Sequence, residues 1–372
     1  MNARTRPPFR ADHVGSLLRP PALLAARAAH ESGGLSREGL TAVENAAISE
    51  AVRRQEDIGL AAVTDGEFRR TWFHLDFLQE FGGVTVITSE MNARFRTGQG
   101  EIQMRPKALR VTGRISRPRP IFVDDFCYLR SVARALPKLT LPSPSMMHFR
   151  GGRRAIDTAI YPEIAEFYAD LAAAYAAEIH DLGAAGCRYI QLDEVNLAYL
   201  CDPALASHVR GLGEDPAALP ATYAALINAA IAGRPQEMAV CLHLCRGNFQ
   251  SGWVAEGGYD PVAELLFNEI DVDGYFLEYD TERSGSFAPL RFVPAGKTVA
   301  LGLVSSKNGA LESKDDLKRR IDEASRFIPL DQLALSPQCG FASSVEGNLL
   351  SIEDQYAKLR LIAELSREIW GS

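Results

Sequence analysis

Several features are scarce or missing in this 372-residue sequence, and each shortage excludes something. No run approaches the roughly 18 apolar residues that a membrane-spanning helix requires. Met1 to Arg10 also lacks the apolar stretch of a secretion signal. The expectation is a cytoplasmic protein with no membrane partner. Basic residues form no block; they are spread along a chain of net charge -7, which argues against nucleic acid as a ligand. There are only six cysteines (Cys127, Cys187, Cys201, Cys241, Cys245 and Cys339), too few for a disulfide scaffold at this length, and they are expected to be reduced. No G-x-G-x-x-G follows the first strand-like segment, so the signal of a dinucleotide-binding open sheet is missing.

What is present is a rhythm. Hydrophobic residues at 47% and charged residues at 23% are ordinary for a globular enzyme. Ser36 can cap a helix that places Leu40, Val43, Ala47, Ala51 and Ile58 on one side and closes at Gly59. The apolar segment Leu60 to Val63 follows and stops in Asp65-Gly66-Glu67. The spacing of Ile164, Phe167, Leu171, Tyr175, Ile179 and Leu182 predicts a helix from Pro162 to about Leu182 with Gly183 as its stop. The strand after it, from Cys187, ends in Asp193-Glu194. Further helix starts are signalled by Ser313 with Asp316 and by Ser351 with Asp354.

Strand-like segments near residues 11, 61, 139, 188, 239, 274, 299 and 333 make eight, mostly separated by helices. Near-continuous apolar strands alternating with helices imply a parallel sheet, and eight units predict an α/β fold of the (β/α)8 TIM-barrel type. Val84 to Thr88 and Ala108 to Ile121 alternate like exposed hairpin strands. They are expected to form a β-hairpin insertion at about 84–128 within a single domain covering 1–372.

In such barrels reactive groups sit where strands finish. Here these positions carry Glu67, Asp193, His243, Cys245, Glu278 and Cys339, with Lys307 just beyond a strand. His243 and Cys245 share one face of a strand, about 7 Å apart. Imidazole and thiolate suit one zinc ion, and Glu278 and Cys339 would complete four ligands. Each residue also has a plainer reading. Cys339 can be a small residue in a turn, Glu278 an ion-pair partner, and Glu67 and Asp193 partners of Arg69, Arg70 or Arg188. Cys241 points to the same face two residues deeper, where a core role is expected.

The ordered segments Asp12-His13-Val14-Gly15-Ser16, Asp65-Gly66-Glu67, Gln191-Leu192-Asp193-Glu194, His243-Leu244-Cys245, Glu278 and Cys339-Gly340 resemble the catalytic half of cobalamin-independent methionine synthase. The resemblance runs from about residue 9 to residue 350. It is stronger still to the short single-barrel members, described as methionine synthase II-like or epoxyalkane:coenzyme M transferase-like. It implies zinc on His243, Cys245, Glu278 and Cys339, activating a small-molecule thiol. It also implies a homocysteine pocket in which Ser16 contacts the amino acid while Glu67 and Asp193 hold its ammonium, with Asp193 also in the catalytic set. The implied activity is methyl transfer to homocysteine, in methionine synthesis, from methyltetrahydrofolate or a corrinoid donor, free or carried on a protein. The alternative is thiol alkylation by another electrophile, such as epoxide opening by coenzyme M.

Two departures bear on the second substrate. Methionine synthase proper has an N-terminal barrel that helps bind folate, for which these residues hold no counterpart. The family's Asp-x-His-Ser motif, whose His serves in proton transfer, reads Ser305-Ser306-Lys307-Asn308 here, placing Lys307 in the catalytic role. A lysine there favours a substrate with an anionic group, because its ordinary pKa of about 10.4 lies far above that of histidine. A homo-oligomer is compatible with the sequence.

Overall fold

Apolar segments that offer no polar face cannot lie at a surface, and in the computed structural model they become strands buried on both sides. The structure describes residues 5–89, 93–98 and 100–371. Among these, β1 (Ala62–Val63) comes first. An antiparallel group follows: β2 (Gly82–Thr88), β3 (Ala93–Thr97), β4 (Gly100–Met104) and β5 (Lys107–Ser116). The remaining strands are β6 (Leu136–Pro137), β7 (Leu139–Pro142), β8 (Tyr189–Asp193), β9 (Ala239–Leu244), β10 (Gly274–Glu278), β11 (Thr298–Val304) and β12 (Leu333–Pro337). Strands β7 to β12 form one six-stranded parallel sheet in chain order. Every residue of β8, β10, β11 and β12 is buried.

Helices cross over between these strands, including Ile164–Ala184 before β8, Leu219–Ile231 before β9 and Lys314–Ala324 before β12. The helix expected to stop at Gly183 runs one residue further. Gly183 lies within it because a side chain would strike Pro235, 2.6 Å from where a Cβ would stand, and the turn that follows uses Gly186 at φ 93°.

The sheet is an α/β arrangement but not a continuous eight-stranded ladder. Beyond β12, Ala11 makes a single parallel bridge to Leu335, and beyond β7 the two residues of β6 pair with β1. The segment after Ala11 and β1 are joined by Leu17 N–H to the Gly66 carbonyl (3.0 Å) and Thr64 Oγ1 to the Gly15 carbonyl (2.6 Å). The reason is local. Asp12 turns its carboxylate inward to accept from Tyr189 Oη (2.8 Å) and Lys138 Nζ (3.2 Å), and Gly15 at φ 138° bends the chain away. Inside the sheet one apolar layer takes Val14, Ala62, Tyr189, Cys241, Phe276, Ala300 and Ala334 from successive segments. Cys241 is therefore core.

Between β1 and β6 lies the antiparallel group. β2 pairs with β5, and β3 pairs with β4. The second of the expected strands starts at Lys107 and ends at Ser116, and a helix, Val123–Val132, follows it. The β3–β4 pair docks on the loop after β9 through Arg96 N–H to the Trp253 carbonyl (2.7 Å) and Trp253 N–H to the Arg96 carbonyl (2.9 Å).

Candidate active site

The parallel sheet delivers its strand ends to one face, and three sulfur and nitrogen donors meet there. His243 comes from the end of β9, Cys245 from the next turn, and Cys339 from the turn after β12. One ligand atom from each lies within 4.8 Å of the others, and all three side chains are buried. Of the described residues, no other group of three or more His, Cys, Asp or Glu is so arranged. The His243 Nδ1 sits 3.2 Å from the Phe276 carbonyl, which can only accept, so the proton is on Nδ1. Nε2 is buried and has no hydrogen-bond partner.

The trio shares protons. The Cys245 thiol, and next the His243 ring, hold the Cys339 thiol well below the usual range. Its contact with Cys339, and next its burial, push the Cys245 thiol well above that range. Burial pulls His243 down, but the neighbouring Cys339 lifts it on balance. Two adjacent sulfurs and an imidazole that must divide protons in this way form a donor set suited to a soft or borderline cation.

A cavity of about 640 Å³, its open mouth included, rests on this trio. Ser16, Glu67 and Asp193 line it with His243, Cys245 and Cys339. Glu67 holds a left-handed backbone, φ 59°, that a glutamate seldom adopts. That conformation is fixed by Glu67 N–H donating to Asp65 Oδ1 (2.9 Å) and by Arg19 Nη2 donating to the Glu67 carbonyl (3.0 Å). Its Oε1 accepts from Thr140 Oγ1 (2.8 Å), whereas Oε2 is buried without a partner. Arg70 stands 3.6 Å away, closer than Arg69, which pairs with Glu44 and Asp125. Burial raises the Glu67 carboxyl against the lowering effect of Arg70. Burial also raises Asp193, to about 7, even though the neighbouring His243 lowers it. Its Oδ1 accepts from Gln191 Nε2 (2.7 Å), and Arg188 instead pairs with Glu237. Ser16 packs on Gly340, where a Cβ would fall 1.9 Å from its hydroxyl, tying it to the turn that carries Cys339.

Glu278 and Lys307 are placed differently from the trio. The Glu278 carboxylate accepts from Arg283 Nη2 (2.5 Å) and Nε (3.0 Å) on Oε1, and from Arg246 N–H (2.8 Å) on Oε2. It is not part of the three-residue cluster. Burial opposes its ionisation, but Arg283 and Arg246 hold it below the usual carboxylate range. The Lys307 ammonium donates to the carbonyls of Gly252 (2.9 Å) and Gly247 (3.3 Å) and to Asn248 Oδ1 (3.2 Å). It braces the loop after β9 from behind and does not line the cavity.

Other lining residues carried no signal in the sequence. Phe249 of that loop stacks on Trp72 at 5.7 Å with 13° between planes, and Phe95 of β3 covers it at 5.0 Å. Arg150 reaches the same cavity from the turn after β7. Aromatic residues at loop tips have no periodicity, so only the docking of β3 reveals them.

A parallel α/β sheet with a buried His-Cys-Cys trio at its strand ends, facing two carboxylates across a closed-in cavity, defines a candidate metal-assisted enzyme of sulfur chemistry. The chain belongs to the cobalamin-independent synthase catalytic-domain family, whose model matches residues 9–351. Two Bacillus subtilis strain 168 proteins, the uncharacterized YxjH and YxjG, are 46% and 45% identical over 98% and 99% of this chain and 95% and 96% of their own. A solved structure, the putative vitamin-B12-independent methionine synthase from Listeria monocytogenes, is 35% identical with a TM-score of 0.76, covering 99% of this chain and 100% of that one. The 5-methyltetrahydropteroyltriglutamate–homocysteine methyltransferase of a Synechococcus strain is 25% identical over 90% of this chain, which spans 40% of that protein's length. No helix among the described residues is long and apolar enough to cross a membrane.

Proposed function

We propose that this chain is a zinc-dependent thiol methyltransferase that moves a methyl group from a methyltetrahydrofolate or corrinoid donor to homocysteine, on a single (β/α)8 barrel that includes the 84–128 insertion. The observation that carries the reading is the buried trio His243, Cys245 and Cys339 facing Glu67 and Asp193 across one cavity. The residues fit zinc, because Nδ1 of His243 is occupied by the Phe276 carbonyl and its buried Nε2 has no other use. His243, Cys245 and Cys339 would hold the ion. Glu278 would be a fourth ligand, exchanging part of its pairing with Arg283 for the metal. Zinc on such ligands supplies acidity to a thiol that joins it, keeping the sulfur nucleophilic at neutral pH.

The chain's own groups do the rest. Glu67 and Asp193 bind the substrate ammonium, an interaction that offsets the burial disfavouring both carboxylates. Asp193, poised at about 7, gives up its proton when the cation arrives. Ser16 orients the amino acid, and Trp72, Phe95 and Phe249 exclude water from the reacting sulfur. Lys307 acts by holding the loop that carries Phe249.

Replacing Cys339 by Ser is expected to lower bound zinc well below one ion per chain and to abolish thiol methylation. Full turnover in metal-free protein would overturn this reading. Turnover with epoxides and none with methyl donors would replace the methyl donor by another electrophile.

A further inference from the structure

Arg150 borders not only the thiol cavity but also a second one, of about 1130 Å³ with its open mouth included, beneath the antiparallel group. Three more cations line this cavity: Lys107 and Arg110 from β5, and Arg154 from the turn after β7. Among the described residues no acid lines it, and none of the four cations has an ion-pair partner. All four are exposed to solvent at the cavity, where a bound anion can reach them.

A second observation comes from His74. Arg150 Nη1 lies 3.0 Å from His74 Nε2, and a guanidinium can only donate, so Nε2 accepts and the ring carries its proton on Nδ1. That Nδ1–H is buried and has no partner, on a residue that lines the second cavity. Burial, and next the Arg150 charge, keep the ring neutral. A buried donor left unmade costs stability, and here it stands beside four uncompensated positive charges. The opposite wall, with Met147, is apolar.

We propose that this cavity binds a small polyanion, a molecule with two or more carboxylate, phosphate or sulfonate groups on an apolar stem. It would be the anionic end of the alkyl donor, whose reactive end passes Arg150 to the thiol. The assignment to the donor rests on the alkylation reading; the binding of a polyanion does not. It relocates the anion recognition that Lys307 suggested from sequence to residues with free donors.

The test is calorimetric titration of the full chain with inorganic tripolyphosphate at low salt. One saturable site is expected. Arg154→Gln and Arg110→Gln are each expected to weaken it about ten-fold, the loss of one charge-assisted hydrogen bond. The exposed control Arg319→Gln should bind as the parent does. All three positions are at the surface, so the variants should fold, and a melting curve checks this. Unchanged affinity in the Arg110→Gln/Arg154→Gln double variant, or several weak sites only, would overturn the cavity. A protein that binds tripolyphosphate in this pattern but methylates no thiol keeps the cavity and removes the alkylation reading. An active protein whose KM for the donor is unmoved by Arg154→Gln removes the assignment to the donor.

Discussion

Asp125 shows at the scale of one side chain how this protein stores unfavourable charge away from its cavity. It lies in the first turn of the helix Val123–Val132 beside Arg69 (3.1 Å), yet burial and the neighbouring Asp65 raise it to about 6. A carboxyl raised on folding stabilises the fold fully below its unfolded pKa of about 4, and that stability is lost as pH climbs through 6. Asp125→Asn should therefore raise stability at pH 7.5 by roughly 1 to 3 kcal/mol and leave it unchanged near pH 3.5. Urea unfolding at the two pH values measures the difference. A gain of equal size at both would show that charge is not the cause. At this scale the candidate ligands were legible where strand alternation governs them. His243 and Cys245 fall on one face because strands have a period of two, and Cys339 follows a strand end. The pairing of Glu278 with Arg283 was not legible, because Arg283 sits in a short turn whose direction no periodicity sets.

Between residue and molecule, the loop after β9 is the element on which most of the cavity depends. Lys307 holds it through three oxygens, and β3 holds it from the other side through Arg96 and Phe95. If Lys307 positions this loop, Lys307→Gln should raise KM for the thiol several-fold and leave the pH profile of kcat in shape. If Lys307 moves a proton, the basic limb of that profile should shift instead, and steady-state kinetics from pH 6 to 10 separates the two outcomes. Phe95→Ala should likewise raise KM, with a stability cost near 1 kcal/mol because the ring is only half-buried. Elements with a repeating pattern were read correctly from sequence, among them the capped helix that begins after Ser351, where Asp354 completes the capping box. The β3–β4 pair was not, since its polar alternation matches an exposed loop as well as a hairpin, and only docking on Trp253 selects the latter.

Across the whole molecule, the donors of the trio lie at opposite edges of a four-strand span. β10 and β11 separate β9, with His243, from β12, which leads to Cys339. A cation bound to all three would favour only the folded state, since the unfolded chain keeps these residues far apart. Zinc should therefore raise Tm, by an amount that grows with its free concentration, and chelation should reverse it. Cys339→Ser should remove most of that increment, which differential scanning calorimetry reads directly. The α/β class was legible at this scale from the alternation of apolar strands and helices. That the strand-like segments near residues 11 and 61 shorten to a single bridge at Ala11 and the two residues of β1 was not legible, because Asp12 and Gly15 trade ladder pairing for buried polar contacts.

The same placement orders events during synthesis. His243 and Cys245 leave the ribosome 96 and 94 residues before Cys339, a lag of roughly 5 to 20 s at ordinary elongation rates. In that interval the nascent chain offers zinc an incomplete donor set and no enclosure. A stalled chain ending before residue 339 should lose zinc to a mild chelator that the finished protein resists. Metal loading would then be a final step in maturation, so an incomplete copy could not compete with finished enzyme for the cell's zinc.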